Sequence, residues 1–179
     1  MAQTDKAIIK TKRLLLRQIV ASDIDNIFKG LSHPDTIKYY GVNFNTLEET
    51  ETQMKFYADL EKDETGIWFA VCSVDNKTFY GAGGLNGLSK VHRKAEVGFW
   101  LLPAFWGQGI MKEAMPLICD YGFEKLQLHR IEGFVESDNI NCKNAMAKLD
   151  FRHEGTMKDC EIKNGKFISL EIYAKIKND

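Results

Sequence analysis

The scarcities in this sequence narrow it first. Three prolines in 179 residues, with no repeat or biased tract, exclude collagen-like, solenoid and disordered chains. The four cysteines, Cys72, Cys119, Cys142 and Cys160, stand far apart with no CxxC pair. His33, His92, His129 and His153 form no HExxH, so no metal site is expected. No secretion signal precedes them, and the thiols are read as reduced rather than as two disulfides. Neither sign of charge dominates: 24 basic and 25 acidic residues leave a net charge of −1, too little to draw the chain to nucleic acid or anionic lipid. No window nears the roughly eighteen apolar residues of a membrane span, and Met1 to Lys12 is polar, which points to the cytoplasm.

What remains is an ordinary globular composition, 44% apolar and 27% charged, expected as one domain over residues 1–179. Arg13 to Ile19 reads as a strand. Ser22-Asp23 caps a short helix to about Leu31, and His33-Pro34 stops it. Thr46, with Glu49 at capping-box spacing, opens a second helix to about Glu61, with Met54, Tyr57 and Ala58 inward. Strand-like runs at 68–74, 79–85 and 95–102 suit an antiparallel meander. A helix over 108–125, a strand over 130–136, a helix over 139–149 and strands near 151–162 and 167–176 complete the order β-α-α-β-β-β-α-β-α-β-β. The helix between Leu102 and Arg130 makes those two strands parallel through a right-handed crossover, so the sheet is mixed.

The stretch Phe105-Trp106-Gly107-Gln108-Gly109-Ile110 puts two glycines where a helix is about to start. A helix's first turn presents free N–H groups and a positive dipole end, a site for phosphate, and glycines let a ligand approach the backbone. The third glycine of a dinucleotide fingerprint is missing, because Lys112 stands there, and no GxxxxGK occurs. A tight turn without ligand is the alternative. Lys112 opposes the helix dipole, which makes sense beside a bound anion, or it is merely solvated. Gly81-Ala82-Gly83-Gly84 lacks a following helix and is assigned to close strand packing.

The run Ala95-Glu96-Val97-Gly98-Phe99-Trp100-Leu101-Leu102-Pro103, followed by Trp106-Gly107-Gln108-Gly109-Ile110-Met111-Lys112-Glu113-Ala114, resembles the acetyl-CoA-binding core of the GNAT acetyltransferases. His129-Arg130-Ile131, Asn139-Ile140-Asn141-Cys142 and Lys148-Leu149-Asp150-Phe151 are similar to the branch containing the ribosomal-protein N-terminal acetyltransferases. Starting from Thr11 to Arg17, the likeness covers nearly the whole chain. It implies an α+β, GNAT-like acyl-CoA N-acyltransferase fold: a mixed, mostly antiparallel sheet of about seven strands with about four helices, splayed between strands 4 and 5. The pantetheine arm of acetyl-CoA would lie in that gap against Trp100, Leu101 and Leu102. Its pyrophosphate would rest on the turn of Trp106, Gly107, Gln108, Gly109, Ile110, Met111 and Lys112, with Asn139 bonding from the other side. Three positions depart from the family: Met111 for a small residue, Cys142 for serine and Asp150 for glycine.

Amines arrive protonated at neutral pH, so transfer to one needs a base. By the resemblance that base is Glu96, raised by partial burial; the alternative is a structural acid paired with Arg93, Lys94 or Arg130. A main-chain N–H at Leu101 or Leu102 would hold the oxyanion. Cys142, near a helix start that should lower its pKa, is a candidate proton donor to the departing thiolate and lies where the family's serine meets the coenzyme sulfur. Tyr173 is a second donor candidate, and a covalent route through Cys142 with His129 or His153 a remote one. Lys143, Lys148, Arg93 and Lys94 either meet the 3′-phosphate or stay solvated. Tyr39, Tyr40, Phe44 and Trp68 would build the acceptor site. The resemblance favours a protein N-terminal α-amine, with small amines such as polyamines, aminoglycosides or amino-acid-like molecules, or a non-catalytic acyl-CoA sensor, as alternatives. Dimerisation, frequent in the family, is carried by no heptad or patch here.

Overall fold

The computed structural model describes residues 8–178. Within them the strands are β1 (Ile9–Lys10), β2 (Leu14–Gln18), β3 (Ile67–Ser73), β4 (Phe79–Ser89), β5 (Lys94–Leu101), β6 (Arg130–Glu136), β7 (Arg152–Lys163) and β8 (Lys166–Ile176). The helices are α1 (Ile24–Leu31), α2 (Pro34–Ile37), α3 (Leu47–Lys62), α4 (Ile110–Glu124) and α5 (Ile140–Lys148). All eight strands join one sheet in the order β1-β2-β3-β4-β5-β6-β8-β7. The β5–β6 pair is parallel and the other pairs are antiparallel.

Eight strands and five helices are present where about seven and about four were expected. The added strand is β1, two residues that pair Ile9 with Leu16. The added helix follows from Pro34. Proline was read as a stop, but at a helix's first position its missing N–H costs nothing, and His33 Nδ1 accepts the Asp35 N–H as a cap. On α3 the inward face is Thr50, Gln53, Tyr57 and Leu60; Ala58 is exposed. The Thr46 cap stands as read, with Glu49 N–H donating to Thr46 Oγ1 at 3.1 Å and Asn45 N–H donating to Glu49 Oε2 at 2.7 Å.

Side-chain alternation sends strands β2 to β5 into two cores. Leu14, Leu16, Phe69, Val71, Val97 and Leu101 face α4 and α5. Trp68, Ala70, Trp100 and Leu102 face α1 and α3, with Ile27, Leu31 and Tyr57. Each fully buried large apolar side chain contributes about 1.5–3 kcal/mol, so the two cores hold the sheet from both faces. Between β5 and β6 the register holds for only three pairs, Lys94↔Arg130, Ala95↔Ile131 and Glu96↔Glu132. Beyond Glu96, β5 stays with β4 to Leu101 while β6 stays with β8 to Glu136, and the sheet forks.

Asp150, after α5, sits at φ 62°, the left-handed geometry that the family's glycine adopts without strain. Its side chain is largely exposed and only 4.0 Å from Lys175 at nearest. Asp150→Gly is therefore expected to raise stability by about 0.5–1 kcal/mol in urea unfolding with the slope unchanged.

Candidate functional site

The fork opens a cavity of about 890 Å³ lined from both faces of the sheet. Met111, Met115, Asn139, Cys142, Ala145 and Met146 line it from the α4–α5 side, and Tyr39, Tyr40, Gln53, Phe56, Trp68 and Glu96 from the α1–α3 side. A second cavity, of about 750 Å³, lies at the other end of the sheet near Glu61, Arg93 and Leu126; of the residues considered for the site it holds Arg93 alone.

The free edge of β5 has a definite polarity. Leu102 donates its N–H to Tyr80 O at 2.9 Å, so alternation along the strand turns the main chain of Leu101 and Phe99 toward the fork. Trp106 Nε1 donates to Leu101 O at 3.0 Å, which fixes the strand end to the turn that follows. Trp100 points its side chain into the α1–α3 core, with Nε1 3.5 Å from Tyr57 Oη.

In that turn Gly107 and Gly109 have φ of 73° and 75°, and Gly109 is the residue preceding α4. Left-handed backbone is what demands glycine here. A Cβ on Gly107 would meet nothing within 4 Å, so the space above it is open. The N–H groups of Ile110, Met111 and Lys112 form the first turn of α4, which begins two residues later than expected. Met111 lines the cavity, while Lys112 is exposed and does not line it.

Arg13 holds this turn. Its Nη1 and Nη2 each donate to Gln108 O at 3.2 Å, its Nε bonds Glu113, and Thr11 Oγ1 donates to Glu113 Oε1 at 2.6 Å. Sequence reasoning missed this clamp. Its partners lie about a hundred positions apart, and no local pattern links them. Phe56 and Phe134, which line the cavity from α3 and β6, were missed for the same reason.

Glu96 sits at the last paired position of β5, directly opposite Glu132. Burial raises its carboxyl above the ordinary range, and the charges of Glu132 and Glu161 add to the rise. None of the cations expected as structural partners reaches it. Lys94 Nζ donates to Glu132 at 2.7 Å, Arg130 Nε donates to Glu132 at 2.8 Å and its Nη1 and Nη2 to Glu154 at 2.9 and 2.6 Å, and Arg93 Nε donates to Gln127 O at 2.9 Å. Burial pushes Glu132 up, but those hydrogen bonds from Lys94 and Arg130 outweigh it and hold it low. Glu96 has no ion-pair partner among the described residues.

Across the fork, Asn139 caps α5 by accepting the Cys142 N–H on Oδ1 at 3.1 Å, which leaves its amide NH2 for a ligand. Cys142 corrects an expectation. Burial pushes its thiol up to about 11 instead of the helix start lowering it, because the desolvation of a thiolate exceeds what one helix dipole returns. Tyr173 does not line the cavity; it packs in the α4–α5 core, with its phenol raised by burial and by the charges of Glu171 and Cys142. Tyr39, Tyr40 and Trp68 line the fork as expected, whereas Phe44 packs in the α1–α3 core. Lys143 donates to Ser137 O at 2.9 Å.

Residues 13–152 match the family model described as an acetyltransferase (GNAT) domain. The chain belongs to the GNAT acetyltransferases. It is 31% identical to the uncharacterized N-acetyltransferase YoaA of Bacillus subtilis (strain 168), over 95% of this chain and 97% of that one. It is 30% identical to the putative ribosomal N-acetyltransferase YdaF of the same strain, over 69% of this chain and 64% of YdaF. A Salmonella typhimurium acetyltransferase that modifies the N-terminal serine of ribosomal protein L7/L12 shares the fold with a TM-score of 0.86 at 22% identity, over 96% of this chain and 100% of its own. This GNAT chain is thus an acetyl-CoA-dependent N-acetyltransferase. No helix among its described residues is long and apolar enough to cross a membrane.

The fork fits acetyl-CoA: an open turn with free helix donors, a strand edge with outward main-chain groups, and a cavity lined from both faces of the sheet. Gly109→Ala, which forces alanine into left-handed backbone, is expected to cost about 1 kcal/mol of stability. It should also weaken coenzyme A binding about five- to tenfold, read by titration calorimetry, with no change in the pH dependence of turnover.

Proposed function

We propose that this enzyme transfers acetyl groups to the N-terminal α-amine of a peptide or protein by direct attack, with Glu96 as the base. The observation that carries the reading is Glu96 itself: a raised carboxyl with no cationic partner, at the fork between the two faces of the cavity. The relatives whose names or titles give ribosomal proteins as substrates support the acceptor.

Acetyl-CoA supplies a thioester with a fair leaving group. The first turn of α4 and the left-handed glycines hold its pyrophosphate, Arg13 keeps that turn in place, and the Phe99 and Leu101 main chain takes the pantetheine arm as an added strand. Trp100 and Leu102 border that strand edge, and the Asn139 amide bonds the arm from α5. The acceptor enters on the opposite face, between Tyr40, Phe56 and Trp68. Glu96, on that face, takes a proton from the ammonium, directly or through a water. Of the two oxyanion donors considered, the Leu102 N–H is already given to Tyr80, so the role falls to Leu101.

A thiol at about 11 is almost wholly protonated at neutral pH. That suits Cys142 as a weak proton donor and disfavours it as an acylated nucleophile, which must be a thiolate. Tyr173 packs in the α4–α5 core and does not line the cavity, which disfavours it as the donor.

Glu96→Gln is expected to lower kcat by about 10²- to 10⁴-fold. A base works only when deprotonated, so the raised carboxyl places the wild-type ascending limb of kcat above the ordinary carboxylate range, and the variant loses that limb. An unchanged pH–rate profile removes Glu96 from this role. Cys142→Ser should stay within about tenfold of wild-type turnover on a peptide amine, the range of a minor proton donor; a trapped acyl-enzyme in wild type, seen by mass spectrometry, would instead establish the covalent route.

A further inference from the structure

Among the described residues, two buried side-chain polar atoms lack a hydrogen-bond partner, Trp68 Nε1 and Thr36 Oγ1, and both residues line the fork cavity. The other two indoles are engaged: Trp100 Nε1 faces Tyr57 Oη, and Trp106 Nε1 donates to Leu101 O. Trp68 is 3% exposed, and Tyr57 packs on it with ring centroids 5.3 Å apart. A buried donor left without an acceptor is costly and rare, and one that lines a binding cavity calls for a ligand group.

Register places that donor beside the base. Trp68 lies opposite Gly84 on β4, which lies opposite Gly98 on β5. The indole spans both glycines: a Cβ on Gly84 would lie 2.6 Å from its Cγ, and one on Gly98 would lie 2.5 Å from its Cζ2. Gly98 follows Glu96 by two residues and so shares its face of the sheet. The aromatic floor that starts on β3 therefore ends next to Glu96.

The chemistry of the two groups differs in a useful way. Glu96 takes a proton from an amine, whereas an indole N–H only donates, so its partner must be an acceptor atom and cannot be an ammonium. We propose that Trp68 selects the acceptor, its Nε1–H donating to an oxygen carried beside the attacking amine, as the first carbonyl of a peptide is. Thr36 Oγ1, on α2, stands at the same cavity as a second polar contact for that substrate. The inference rests on the N-terminal-amine reading and specifies the residue that enforces it. A diamine offers Glu96 its nitrogen but leaves Trp68 unsatisfied.

The test compares alanyl-alaninamide with 1,4-diaminobutane as acceptors for wild type and Trp68→Phe. Wild type is expected to favour the amide, and the variant to lose about tenfold of that preference in kcat/KM, the worth of one hydrogen bond, with KM for acetyl-CoA unchanged. In parallel, indole N–H spectra of nitrogen-labelled wild type holding coenzyme A should show the Trp68 resonance moving downfield with the amide and staying in place with the diamine. The same preference in both proteins, with that resonance unmoved, overturns the role of Trp68 and leaves the N-terminal-amine reading standing. A wild type that favours the diamine overturns that reading and the inference with it. If Trp68→Phe does not fold, the resonance shift in wild type decides alone.

Discussion

Three register pairs between β5 and β6 are the hinge of this molecule. Each strand carries a full antiparallel partner on its outer side, β4 for one and β8 for the other, so the parallel contact can stop after Glu96 without dissolving the sheet. Close approach helps set the fork. Gly133, just past the last pair on β6, leaves room for Met146 of α5 and for Val97, where an added Cβ would come 2.7 Å from the Met146 methyl and 3.4 Å from Val97 Cγ1. Main-chain groups that a continuous sheet would have consumed are thereby turned to the cavity. An extended ligand arm can take the place of the missing ladder.

Electrostatics at the fork follows from how the cations are shared. Two carboxylates stand opposite each other on adjacent strands, a repulsive arrangement in isolation. Lys94 and Arg130 both go to Glu132, and Arg130 is further committed to Glu154. One acid is fixed as an anion and the other is left raised. A pair of like groups pushed apart in this way fits the division proposed above between a structural acid and a base. The rise of the Glu96 carboxyl has burial as its first cause, and Tyr40, Phe56 and Trp68 line the same cavity.

Much of this was legible in the chain order. The crossover helix between two apolar runs implied the parallel pair, and the capping pattern at Thr46 placed the start of α3 to the residue. Gly107 and Gly109 were read as clearing space for a ligand. Their left-handed backbone gives a second and independent reason for glycine, visible only as dihedral angles. Pro34 was misread because a proline that stops one helix also starts another well. The Cys142 thiol was misread because helix position is local and burial is not: its desolvation depends on what α5 packs against.

Sequence by itself determined the order of elements, the family and the residue types at the cofactor turn, since periodicity, capping and turn chemistry act over a few positions. Tertiary structure decided what those positions meet. It alone joined Arg13 to Gln108 and Glu113, gave Lys94 and Arg130 to Glu132 rather than Glu96, and left the Trp68 indole N–H without a partner at the fork. The reason is physical: hydrogen-bond pairing and desolvation are set by neighbours in space, and in a sheet of crossed connections those neighbours come from opposite ends of the chain.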